Sequence, residues 1–389
     1  MGHKWLKGIA GVVILGAAGF FTFAPGMVEN GQNSVVAHDP WPVSPEAAAL
    51  HARLVIGDWH SDALLWDRDL TKRSPRGHVD LPRLREGNVA VQVFTTVTKS
   101  PKGQNYDHND TDAADNITPL VIAELRPPKT WFDLTERALD QAARLNATAE
   151  RAPDQLRVIR TKSDLADLLA ARAGGAQTVG GILGAEGGHA LSGDLANLGR
   201  LYDAGFRLLG LTHFFDNELG GSLHGTEDNG LTPFGRQVVS DLVTRHMVID
   251  LAHASAQMAR DVLAMPGTRP IVSHTGIHGV CPVKRNYPDD LMQAIAAKGG
   301  VIGIGYWTDV TCDATPAGVA ASITAAVALL GEDHVSLGSD FDGAVETDFD
   351  SSELAALTQA LRDTGLSEPV IAKVMGGNMM RYLTETLPD

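Results

Sequence analysis

Apolar residues along this chain gather in short runs, and most of the runs end on a histidine or a carboxylate. Residues 54–59, 89–97, 179–185, 206–212, 247–252, 270–273, 300–306 and 334–339 each have the length of a strand. Most are nearly continuous in apolar character, the pattern of strands covered on both faces, as in a parallel sheet flanked by helices. Helical spacing fills stretches between them, at residues 163–172 and 320–330, and another helix is predicted from Pro45. Eight strands alternating with helices predict an α/β fold, a TIM-type (β/α)8 barrel over residues 46–389. One spacing is irregular: about 80 residues separate the second and third runs, with Pro-rich turns and a predicted helix at 133–151. An elaborated loop after strand 2, not a second domain, is the expectation there.

The N-terminus is patterned differently. Lys4 and Lys7 precede an apolar run over residues 8–23 that continues weakly to Val28. This predicts an export signal or an N-terminal membrane anchor over residues 1–28, followed by a polar linker over 29–45. Small residues at Val35-Val36-Ala37 suit cleavage, although they lie well beyond the apolar run. Either outcome places the barrel outside the cytoplasm, in the periplasm or attached to the outer face of the cytoplasmic membrane. Export permits a disulfide between the two cysteines, Cys281 and Cys312, with two unpaired buried thiols as the alternative at this point.

Composition narrows the partners. A hydrophobic content of 44% in 389 residues supports a large core and argues against wholesale disorder. The net charge of −15, with no cluster of Lys and Arg, excludes nucleic acid, whose phosphates must be neutralised by such clusters.

The polar residues that end the runs carry the chemistry. His60 and Asp62 follow the first run, Glu186 the third, His213 the fourth, His253 the fifth, His274 the sixth and Asp340 the eighth. In a barrel the C-terminal strand ends converge on one face, so seven scattered residues become one constellation. His60 and Asp62, two apart in an extended segment, point the same way and suit one cation; alone, such a pair is an ordinary capping arrangement. Glu186, among the glycines of Gly184-Ala185-Glu186-Gly187-Gly188-His189, has two oxygens with which to bridge two cations. His253 and His274 on neighbouring strands suit the second.

Asp340 would accept the proton of an attacking water, and His213 would stabilise a developing oxyanion. Arg285 would clamp a substrate carboxylate, though an isolated Arg is more often a surface residue. Asn286 beside it and Tyr306 at the end of the seventh run are further candidate substrate contacts. The marks of rival mechanisms are missing from the sequence: no His-Glu-x-x-His helix, no Gly-x-Ser-x-Gly elbow, no phosphate-binding loop.

From His51 to about Leu383 the chain resembles the renal, or membrane, dipeptidase family of zinc peptidases. The likeness rests on Asp58-Trp59-His60-Ser61-Asp62, Gly184-Ala185-Glu186-Gly187-Gly188-His189, Leu211-Thr212-His213, Ile249-Asp250-Leu251-Ala252-His253-Ala254-Ser255, Ser273-His274, Arg285-Asn286, Gly338-Ser339-Asp340-Phe341-Asp342-Gly343 and Gly376-Gly377-Asn378.

The resemblance implies a barrel of the metal-dependent hydrolase kind with two Zn2+. His60 and Asp62 would hold one, His253 and His274 the other, and Glu186 would bridge them. It implies that His213 and Arg285 contact substrate and that Asp340 serves proton transfer and the substrate's amino end. It further implies hydrolysis of L,L and L,D dipeptides by a metal-bridging hydroxide, opening of carbapenem-type β-lactams, a Cys281–Cys312 disulfide and a homodimer. Residues 100–151 match no motif of the family. Two other readings stand beside this one: a related binuclear amidohydrolase acting on N-acyl amino acids, lactones or phosphoesters, and an inactive membrane-tethered binding protein.

Overall fold

The structure, a computed structural model, describes residues 2–389, the side chains of residues 2–15 and of Ala17 excepted. Eight strands form a barrel: β1 (Ile56–Asp58), β2 (Val89–Val97), β3 (Val179–Glu186), β4 (Phe206–Gly210), β5 (Val248–Asp250), β6 (Val272–Thr275), β7 (Ile302–Ile304) and β8 (Val335–Leu337). Each falls on one of the eight predicted runs, with bounds that differ by two residues at most. Neighbours pair in parallel in the order β5-β4-β3-β2-β1-β8-β7-β6. The ring closes where Asp250 bridges Ile271 in parallel and Leu251 N donates to Ile271 O at 2.9 Å.

Helices cover the outside, and their starts are written in the sequence. Thr161 and Asp164 form a reciprocal capping box for helix Lys162–Ala173, Thr315 caps Pro316–Leu330, and Asp133 caps Leu134–Arg151. The elaborated loop after β2 contains a ninth strand, Leu156–Val158, which pairs with β3.

Successive residues of a strand face opposite sides, so a period of two sorts the barrel lining. Val91 and Val93 share a face with Thr95, Ile182 with Glu186, Val248 with Asp250, and Ile271 with Ser273. The apolar members join Leu208 and Val301 in one buried cluster that includes Met379, Tyr382 and Leu383 of the last helix, Asn378–Thr386. That helix sits at the strand starts: Asn378 Nδ2 donates to Glu332 O and Val335 O at 2.7 and 2.8 Å, just before and at the head of β8. The barrel is therefore greased at one end and ionisable at the other.

Two features concern the N-terminus. The backbone from Gly2 to Gln32 forms one helix, and much of the predicted leader over residues 1–28 lies outside the described side chains. Among the described residues no helix is long and apolar enough to cross a membrane. The start of the predicted linker is docked on the barrel: Glu29 and Asn33 are buried, and Ser34–Val35 pairs in parallel with Glu346–Thr347.

Candidate metal centre and substrate cavity

Glu186 ends β3 at the centre of the C-terminal face. Gly187, at φ +98°, turns the chain immediately after it, and a Cβ there would come within 2.2 Å of the His189 ring. The turn aims the carboxylate across the barrel. Its Oε1 lies 3.1 Å from His253 Nε2, 3.3 Å from His60 Nε2 and 3.6 Å from His274 Nε2, while Oε2 lies 3.3 Å from His213 Nε2. Asp62 Oδ1 and Asp340 Oδ1 stand 3.5 and 3.6 Å from His60 Nε2. All seven strand-end residues therefore meet within one buried cluster.

Neighbouring groups fix how these side chains point. Asp58 accepts from His60 N at 2.9 Å and Ser339 N at 3.1 Å, tying the segment after β1 to the end of β8. Thr95 Oγ1 donates to Asp62 Oδ1 at 2.5 Å. Asp250 accepts from Ser273 Oγ at 2.6 Å and Ser273 N at 2.8 Å. Because that hydroxyl gives its proton to Asp250, it accepts from His274 Nδ1 at 2.8 Å, which leaves the Nε2 lone pair facing the cluster. Asp58 and Asp250 orient the site through these bonds, and no motif spacing marks either of them for that task.

Burial and charge oppose each other here. Burial alone would raise the Glu186 carboxyl, but His213, His60 and the hydrogen bond from His253 hold it well below the usual range. Burial would lower His60, and the Glu186 and Asp62 carboxylates raise it instead. Burial pushes His253 and His274 down, helped by Arg285 and His60, so both rings are neutral. It pushes Asp340 up, with Asp62 and Glu186 adding to the shift.

This donor set fits cations. Two neutral imidazoles face each other with Nε2 atoms 3.0 Å apart, and buried Glu186 Oε2 has no hydrogen-bond donor. Three sets of donors each lie within 4.8 Å: His60, Asp62 and Glu186; Glu186, His213 and His253; and His60, Asp250 and His274. His213, assigned to substrate from the sequence, is thus also within reach of a cation shared by Glu186 and His253.

Above the cluster opens a cavity of about 780 Å³, lined by Asp62, Glu186, His213, His253, Arg285 and Asp340 among others. Arg285 is buried and anchored by Nη1 to Ala252 O at 2.6 Å and by Nη2 to His274 O at 2.9 Å. Its Nε has no partner. His213 Nδ1 faces Lys99 O at 3.3 Å, which directs Nε2 inward.

Asn286 and Tyr306 do not line the cavity. The Asn286 amide is spent on backbone, on Gly276 N at 2.7 Å and on Cys281 O and Val310 O at 2.9 Å each. Tyr306 is fully buried against Phe341 and Phe349. Cys281 and Cys312 form a disulfide that joins the Arg285 loop to the segment after β7.

Tyr106, which the sequence reading missed, lines the cavity from the loop after β2 and accepts from Trp307 Nε1 at 3.0 Å. An aromatic residue in a polar loop was its one available signal.

A parallel barrel with a buried acid–histidine cluster at its C-terminal strand ends defines the class of metal-dependent barrel hydrolases. Within that class, the chain belongs to the membrane dipeptidase family, peptidase family M19, whose profile matches residues 45–387. The dipeptidase aclJ of Aspergillus oryzae is 27% identical over 85% of this chain and 78% of its own length. A metallo peptidase from Rhodobacter sphaeroides, solved with a phosphinate mimic of the dipeptide L-Ala-D-Ala, is 26% identical with a TM-score of 0.69, covering 86% of this chain and 99% of that one. The dipeptidase AC, a metallo peptidase of family M19, gives 26%, a TM-score of 0.70 and the same coverages. The protein is a metallo-dipeptidase acting on small peptides.

Proposed function

We propose that the enzyme binds two Zn2+ and hydrolyses free dipeptides, both L,L and L,D, with opening of carbapenem-type β-lactams as a related activity. One observation carries this reading: a single carboxylate, Glu186, stands between two groups of donors at the floor of a cavity that also holds the buried cation of Arg285.

His60 and Asp62 would hold one ion, His253 and His274 the other, and Glu186 both. When bound, the ions supply a nucleophile at neutral pH and polarise the scissile carbonyl. The remaining steps belong to the side chains. Arg285, a buried cation that lines the cavity, pairs with the substrate's carboxylate, which selects a free C-terminus. Asp340 takes the proton of the attacking water at its carboxylate oxygen and returns it to the leaving amine. His213, which lines the cavity beside Glu186, stabilises the carbonyl oxygen as charge develops there. The likeness to an enzyme solved with a mimic of L-Ala-D-Ala supports acceptance of a D-residue. The disulfide and the apolar leader support export and attachment at the outer face of the membrane.

The test is a panel of L,L and L,D dipeptides, their N-acylated and C-amidated analogues and one carbapenem, read alongside bound metal. Free dipeptides should be cleaved with two ions per chain; equal rates on blocked analogues would sink the selection by Arg285. Arg285→Lys should raise KM about tenfold for free dipeptides and leave C-amidated ones little changed.

A further inference from the structure

We infer that residues 29–36, between the apolar leader and the barrel, are positioning residues of the catalytic centre: they clamp the loop that carries Asp340. The inference rests on the dipeptidase reading, because it gives this loop its catalytic role.

The loop after β8 needs holding. Asp340, Asp342 and Ala344 sit at φ +60°, +65° and +61°, a left-handed conformation that strains non-glycine residues. Such a run persists only where the surroundings over-determine it. Part of that restraint comes from the barrel: the Asp342 carboxylate accepts from His78 N at 2.6 Å and Val79 N at 3.3 Å, and pairs with Arg68.

The rest comes from the N-terminal segment. Glu29, 1% exposed, pairs with Arg68 Nε at 2.5 Å and also with Arg76, so a buried Glu29–Arg68–Asp342 chain ends two residues from Asp340. Asn33 Oδ1 accepts from Ala344 N at 2.8 Å. Ser34 pairs with Glu346 and Val35 with Thr347, and Val36 N donates to Thr347 O at 2.8 Å. His78 closes the circle: Nε2 donates to Ser34 O at 3.1 Å, and Nδ1 accepts from Asp342 N at 3.0 Å. The same segment lines the cavity through Gly31, Gln32 and Ser34, with Val28 just before it. Cleavage at Val35-Val36-Ala37 would remove the clamp, so the working enzyme keeps residues 29–36 and begins upstream of Glu29.

The experiment uses the full chain, with Glu29→Gln and Asn33→Ala each compared with wild type. Bound metal, kcat, KM and hydrogen exchange over residues 338–347 are measured. The clamp predicts unchanged metal content, faster exchange in that loop, and kcat lower by about tenfold or more with KM shifted far less. Wild-type exchange and wild-type kcat in both variants would overturn it. Should Glu29→Gln fail to fold, because Arg68 and Arg76 lose their counter-charge, Asn33→Ala decides alone. A native active chain whose mass places its start after Val36 would also overturn the inference. A wild-type chain inert on dipeptides would defeat the proposed function, and the exchange arm would still decide the clamp.

Discussion

The two ends of the barrel are built on the same faces of the same strands and obey opposite rules. At the strand starts Val91, Ile182, Leu208, Val248 and Ile271 pack with Met379, Tyr382 and Leu383, and the contribution is apolar area removed from water. A few residues further along, the same faces present Thr95, Glu186, Asp250 and Ser273, and packing gives way to charges held away from solvent. Uncompensated buried ionic groups cost several kcal/mol each, so the second end is stable only through hydrogen bonds, opposing charges and bound cations. Stability and function are therefore separable along each strand. Substitutions at the two ends should leave distinct signatures.

The largest effect is expected at Glu186. Glu186→Ala removes the carboxylate common to both donor groups, so at least one metal should be lost and kcat/KM should fall by roughly a thousandfold or more. In the metal-free chain the substitution should also cost stability at neutral pH, because His60 loses the opposing charge that helps hold the Glu186 carboxyl well below its usual range. Metal analysis and urea unfolding with chelator check both halves. A variant that keeps two metals and wild-type kcat/KM would show that Glu186 is structural and would dissolve the contrast between the ends.

The opposite signature belongs to Leu208. It is buried at the strand-start end, and Leu208→Ala should cost about 2–5 kcal/mol through lost transfer energy and the cavity left behind. Metal content and kcat/KM per folded molecule should stay within about twofold of wild type, because the site is oriented by side-chain hydrogen bonds of Asp58, Thr95 and Asp250, in none of which the Leu208 side chain takes part. A large loss of kcat/KM in folded protein would mean that the ends are coupled.

The sequence made one end readable and left parts of the other hidden, for a physical reason. Parallel strands place chemistry at their C-terminal ends, so an apolar run followed by His60, Glu186 or His274 carries both the fold and the site in adjacent residues. That is why all eight strands fall on predicted runs. Leu156–Val158 escaped because three residues flanked by Gln155 and Ile159, with Arg157 in the middle, have no distinctive period. Glu29 escaped because its role depends on Arg68 and Asp342, partners set by tertiary structure alone. Asn286 misled for a related reason: its neighbour Arg285 reaches the cavity, and nothing in the sequence says that the next amide is consumed by backbone.

The smallest effect concerns a group at neither end, and it isolates stability from catalysis. His51, on helix Pro45–His51, is buried with Nδ1 2.8 Å from Thr358 Oγ1, and burial pushes its pKa down to about 4 from 6.5. The unfolded chain therefore binds a proton between these values that the folded chain refuses. His51 penalises folding as pH falls from about 6.5 to about 4 and contributes no slope above that window. Between pH 7 and 4.5 the penalty should reach about 2 kcal/mol. Other buried histidines and metal release add their own slopes, so the measurement is a difference: chelated wild type against chelated His51→Gln, by urea unfolding at both pH values. The variant should lose about 2 kcal/mol less on acidification, with kcat/KM at pH 7 unchanged. Equal losses in the two proteins would mean that His51 takes up its proton in the folded state.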